Sequence, residues 1–270
     1  MIVQRRTNDG PARVVAMTDH LGLADQFAEA FGNDAFHSPG PPSLFRFAIA
    51  HHDEGWAEVD RRIPLDEETG LPCNLLQTPI DDMLASGPAS AEFNEAHHPW
   101  CGLLVSMHVY GLYNGRYGLS DKIVVEALPE AVRPQFKAML ADEVARQDRL
   151  KATLSEDPEL ADSVAPDALF QCYKLLQFFD TLALYFCMDE ASLREESTFL
   201  NVPSATSEDA SVTVTPLENG DYRVQPFPFE GDAQTFSLGG KVVEPQPAGT
   251  DIQSVLARTP ETAEHFRLVR

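Results

Sequence analysis

One aspartate, Asp180, sits inside the most apolar run of the chain, LLQFFDTLALYFC (175–187). An ionised carboxylate left alone in an apolar interior costs on the order of several kcal/mol, so a cation, a metal or a set of donors must meet it. No basic residue lies three or four positions away, where a helix would bring one onto the same face; Lys174 is six back and off that face. A chain that buries this helix must therefore bring a partner for Asp180 from elsewhere in its sequence.

Three other segments carry polar residues on apolar faces. His20 shares a helical face with Leu23 and Phe27, in a helix read through LGLADQFAEAFG, with Thr18 and Asp19 as caps and a stop at Gly32. In LFRFAIAHHDEGW, capped by Ser43, the residues Leu44, Phe45, Ala48, Ile49, His52 and Trp56 fall on one buried face, and Asp53 follows Ile49 by four. His108 lies in LLVSMHVYGL, within a third helix entered through Pro99. A structural histidine beside a capping aspartate explains any one of these. Four helices that each aim a His or Asp at the core are better explained by one metal site.

A further helix spans about 130–154, the apolar helix spans 165–187, and residues 61–90 read as a long ordered loop. Period-two alternation around the turn Glu218-Asn219-Gly220-Asp221 predicts a hairpin, TFSLGGKVVEPQ continues the strands, and 251–268 reads as a short helix. Residues 1–16 read as a short hairpin of their own. The expected fold class is mainly α, with a helical core over residues 1–200 and a small β-rich segment over 201–270 packed on it as one compact unit.

Composition excludes several functions. Forty-two acids stand against twenty bases, a formal net charge of −22, which repels nucleic-acid phosphates and anionic lipid. Neither nucleic acid nor membrane is an expected partner; a small, anionic molecule is. The four cysteines, Cys73, Cys101, Cys172 and Cys187, have no CxxC spacing and read as reduced thiols of a cytoplasmic protein. There is no Gly-rich phosphate loop, no GxSxG and no dinucleotide fingerprint.

A histidine on one helix, an adjacent His-Asp on the next and a distant aspartate on a later apolar helix resembles the HD-domain metal-dependent phosphohydrolases, which implies an HD-domain-like helical core. The motifs HHDEGW (51–56), GLLVSMH (102–108), LLQFFDTLALYFC (175–187) and QPFPF (225–229) also resemble a bacterial family, domain of unknown function 3891. The resemblance implies a first metal on His20, His52, Asp53 and Asp180, and a second bridged by Asp53 and held by His108 and His98. His97 is the weaker neighbour of His98, and His37 and His265 read as surface residues.

Neutral imidazole and carboxylate suit borderline divalent ions, and ligand type does not choose among Fe, Mn, Co, Ni and Zn. Glu54 or His51, beside Asp53, is placed to act as a base, and Arg61, Arg62, Arg116 and Lys122 are the candidates for holding an anionic substrate group. The leading expectation is a metal-dependent hydrolase of a phosphate ester. The alternatives are a di-iron oxygenase of HD type and a non-catalytic ligand-binding or sensor protein with a structural metal.

Overall fold

Strands form where the chain alternates apolar and polar residues, and helices where apolar residues recur at three- and four-residue spacing. The computed structural model describes residues 1–37, 39–206 and 208–270. Its elements run β1 (Ile2–Val3), β2 (Ala12–Val15), α1 (Met17–Ala30), α2 (Pro42–Ala50), α3 (Trp56–Asp60), β3 (Leu65–Asp66) and β4 (Leu71–Pro72). The helices α4 (Ile80–His97), α5 (Pro99–Tyr113), α6 (Val124–Ala127), α7 (Arg133–Ser155) and α8 (Pro166–Met188) follow. Then come β5 (Ser197–Val202), β6 (Ala210–Pro216), β7 (Tyr222–Gln225), β8 (Ala233–Val243), α9 (Ile252–Arg258) and β9 (Glu261–Val269). Two units result, one of Met1–His37, Trp56–Thr78 and Phe178–Arg270, the other of Ser38–Gly55 and Pro79–Gln177.

The first unit is built on a seven-stranded sheet in the order β1-β2-β8-β9-β7-β6-β5. Neighbours are antiparallel except β7 and β9, which run parallel. This overturns the mainly-α expectation with a small β segment, because the chain is 49% helix and 20% strand, with seven strands in one mixed sheet and β3 and β4 in a second. Two features account for the difference. Residues 1–16 form the expected hairpin, with Ile2 opposite Val15, but β2 also continues into the sheet, with Arg13 opposite Val242 of β8. The helix expected over 251–268 stops at Arg258, and β9 follows with Phe266 and Leu268 turned to the core at period two.

Helix α1 lies on β8, where Gly239 permits close approach; a Cβ there would come 2.4 Å from the Asp19 carboxylate. Thr18 does not cap this helix. Ala16 is the N-cap, and its N–H donates to Asp19 at 3.2 Å. The interior is aromatic: Phe27 meets Phe236 edge-on at 4.7 Å, and Phe186 of α8 stacks on Phe266 at 3.9 Å. Buried Arg194 closes the cluster, donating to Tyr222 Oη at 2.8 Å and to the Phe186 carbonyl at 2.9 Å, and pairing with Glu264.

The second unit holds α2, α4, α5, α6, α7 and the first half of α8. Helix α4 takes up residues 80–90, the last third of the stretch expected to be loop. Its Pro88, Gly87 and run of small residues hide the helical period, yet they let it pack closely: a Cβ on Gly87 would lie 2.8 Å from Val109, and one on Gly102 of α5 would lie 2.5 Å from Glu95. Glu95 is clamped by Arg146 at 2.7 Å and Arg149 at 2.8 Å, both on α7. Among the described residues no helix is long and apolar enough to cross a membrane.

Helix α2 ends at Ala50, so residues 51–55 form a turn rather than the continuous helix expected through Trp56. Helix α4 fixes that turn. Asn94 donates to the His51 carbonyl at 2.8 Å, and the Gly55 N–H donates to Ser90 Oγ at 2.9 Å. A Cβ at Gly55 would lie 2.1 Å from the Ser86 carbonyl oxygen.

Gly55→Ala is therefore expected to lower the urea midpoint by the equivalent of about 1–3 kcal/mol, the usual cost of forcing extra atoms into packed structure. Glu95 gives a pH test. Burial pushes its carboxyl up, but hydrogen bonds from Arg149 and Arg146 outweigh this and hold it below the usual range. Its contribution is thus present above the unfolded pKa of about 4.3 and lost as pH falls through the lower folded value. Thermal melts of wild type and Glu95→Gln should differ most near neutrality and converge in acid.

Candidate metal centre

In the second unit the 51–55 turn and α5 bring His52, Asp53 and His108 together. His52 is fully buried, and its Nδ1 lies 2.8 Å from the Ile49 carbonyl oxygen. A carbonyl only accepts, so Nδ1 carries a proton. The other ring nitrogen faces Asp53, with Nε2 3.8 Å from Oδ2. On the other side His108 Nε2 lies 3.8 Å from Oδ1 of the same carboxylate. The two rings are 5.0 Å apart and nearly perpendicular, and the donor atoms of the two histidines lie within 4.8 Å of each other.

These gaps exceed a hydrogen bond, which closes to about 2.7–3.2 Å. They match two atoms bound to one ion: ligands about 2.1 Å from a metal stand about 3.0 Å apart at right angles and about 4.2 Å apart in line. A carbonyl holding the far nitrogen of a histidine is also the usual way to aim the near one at a metal.

The first unit contains a second donor pair. His20 of α1 and Asp180 of α8 are both buried, with Nε2 3.4 Å from Oδ1. Cys187 Sγ stands 3.9 Å from His20 Nδ1. Burial pushes that thiol well up from its ordinary pKa, so it stays protonated and is no nucleophile.

The other expected residues have different surroundings. His51 Nδ1 bonds Glu54 Oε2 at 2.9 Å, and both side chains are half-exposed. His98 is not joined to a donor group among the described residues; its Nδ1 accepts the Trp100 N–H at 3.0 Å and caps α5. Burial, and the neighbouring His97, lower its pKa, which keeps it an acceptor. His97 is exposed and stacks on Phe47 at 3.5 Å. His37 and His265 are exposed. Arg61 is exposed and paired with Glu58 at 2.6 Å, Arg62 and Lys122 are exposed, and Arg116 sits in a left-handed turn after α5.

Three residues near the donors escaped the sequence reading. Tyr113 of α5 has its hydroxyl pKa pushed up to about 12 by burial and then by the charge of Asp53. Asn94 holds the His-Asp turn from a helix whose first part, 80–90, was read as loop. Gln177 places its side-chain amide 2.6 Å from His108 Nδ1. It lies one turn before Asp180 in the same apolar run, but it carries no charge, so the argument that singled out Asp180 did not reach it.

A family model described as a protein of unknown function (DUF3891) matches residues 1–245, which takes in every donor above and each strand of the sheet except β9. No curated protein and no solved structure matches the chain. The family match covers most of the chain and all of its candidate metal ligands, and the protein belongs to the DUF3891 family.

Proposed function

We propose that the protein is a metal-dependent hydrolase of a phosphate ester. His52, Asp53 and His108 are the primary ligands, and His20 and Asp180 are a further donor pair. The carrying observation is the carboxylate of Asp53 with a buried imidazole Nε2 3.8 Å from each of its oxygens. The order His20, His52-Asp53, Asp180 supports the reading through its resemblance to HD-type hydrolases. A bound divalent ion would lower the pKa of a water toward ~7 and polarise a phosphoryl oxygen.

The chain's own groups supply the rest. Glu54 holds the proton on His51 Nδ1, which leaves His51 Nε2 as an acceptor for a proton from water, the arrangement of a carboxylate-oriented general base. Tyr113, kept protonated by burial and by Asp53, can donate a hydrogen bond to an anionic oxygen. With Arg61 engaged by Glu58, Arg116 and Lys122 are the proposed partners of the substrate's anionic group.

A second reading is favoured by the donor set itself. Two histidines and one carboxylate also make up the facial triad of non-haem iron oxygenases. Metal analysis together with an activity screen separates these readings from a non-catalytic role. Protein purified without chelator or a metal-binding tag should carry at least one divalent ion per chain by elemental mass spectrometry. Asp53→Asn should lower its affinity on the order of a hundredfold or more while leaving the far-UV spectrum unchanged. Release of phosphate from a phosphoester panel with Mn, Co, Ni or Zn supports the hydrolase. Bound iron with oxygen uptake and no phosphate release would transfer the site to the oxygenase. A folded wild type that takes up no metal even on reconstitution would sink both.

A further inference from the structure

In the first unit a cavity of about 580 Å³ is lined by β1, the β3–β4 hairpin and the end of α8. That volume lies within the range of about 300–1,000 Å³ that small-molecule sites occupy. Val3, Leu71, Pro72 and Met188 give it an apolar lining. Leu76 also lines it and is 84% exposed, the most exposed of the large apolar side chains described. A leucine left in water beside a cavity is stabilised by any apolar body laid against it.

Most of the polar lining is already engaged within the fold. Arg5 grips Asp189 with two hydrogen bonds, at 2.7 and 3.0 Å. Asp66 keeps its charge, but its oxygens accept from Thr69 Oγ1 at 2.9 Å, from Gln77 Nε2 at 3.2 Å and from the Glu68 N–H at 3.1 Å. Asn74 donates to the Val3 carbonyl, and Gln4 donates to the Phe186 carbonyl. Arg6 differs. Its Nε is shut off from water yet has no hydrogen-bond acceptor among the described residues. Glu190 senses the Arg6 charge, but its Oε1 accepts from the Thr7 N–H and from Ser192 instead.

A guanidinium stripped of part of its hydration attracts an anion more strongly than a solvated one, because water competes less for it. One arginine matches one planar, singly charged carboxylate, which can accept two parallel N–H bonds from it. The apolar lining suits the remainder of such a molecule if that remainder is hydrocarbon. We propose that this cavity binds an aliphatic carboxylate, with its head group on Arg6 and its chain along Leu76, Leu71 and Met188. The site is formed by first-unit residues alone and does not depend on the hydrolase reading or on a metal.

Calorimetric titration of the full-length chain with octanoate tests it. The expected result is one saturable site per chain, with octan-1-ol bound about tenfold more weakly or worse because it lacks the charge. Arg6→Met keeps an apolar stem and removes the guanidinium, so octanoate affinity should fall about tenfold or more. Leu76→Ser changes a side chain that is already 84% exposed, so folding is not at stake, and affinity should fall several-fold. Arg223→Met, at an exposed position of β7, should leave affinity unchanged. If Arg6→Met does not fold by far-UV spectroscopy, Leu76→Ser and the octanol comparison decide. No saturable octanoate binding by the wild type, or wild-type affinity in both Arg6→Met and Leu76→Ser, would overturn the proposal. Binding that survives Arg6→Met but is lost in Asp53→Asn would place the carboxylate on the donors of the second unit and overturn it as well.

Discussion

The carboxylate of Asp53, largely withdrawn from water and facing two imidazole nitrogens, is the constraint that much of the second unit serves. A turn that carries such a group cannot drift. Residues 51–55 are pinned from α4 by Asn94 and Ser90, and Gly55 is required because the Ser86 carbonyl leaves no room for a side chain. Helix α4 is in turn locked to α5 by glycine contacts and to α7 by the Glu95 clamp. The positions of these side chains are thus set by backbone carbonyls, amides and ion pairs on rigid helices, which is how a constellation of polar groups keeps its geometry.

In the first unit, aromatic packing has the corresponding part. Phe27, Phe186, Phe236 and Phe266 lock α1 and the end of α8 onto the sheet. These are the two helices that carry His20 and Asp180, 3.4 Å apart, so a hydrophobic core helps to hold that pair in place. Buried Arg194 is satisfied on every side by carbonyls, a tyrosine and Glu264, which is what makes a guanidinium tolerable at that depth.

The donors were legible in the sequence because a charge or imidazole inside an apolar run is costly enough to need a reason. Asp180, His108 and His52 all met that test, and the structure gives each of them a partner inside its own unit. Asp53 was found with a flawed argument: the helical stripe assigned to it ends at Ala50, and a turn delivers it instead. Gln177 was passed over because an uncharged amide raises no alarm. Helix α4 was invisible because proline, glycine and serine suppress the periodicity that marks a helix, although the same small residues make its packing possible. The strands β2, β6, β7 and β8 were legible from their alternation, but β9, which begins in polar residues, was read as helix, and nothing in the sequence showed that β2 and β9 both pair with β8.

That pairing bears on how the protein is made. β2 can pair with β1 as soon as both are made, but its other neighbour, β8, follows more than 200 residues later. Loop closure over such a distance is slow relative to local helix formation. Until β8 is synthesised, β2 and the face of α1 that lies on β8 stay without that strand, a state open to aggregation and to chaperone binding. The first unit therefore completes its sheet only after β8 and β9 have been made.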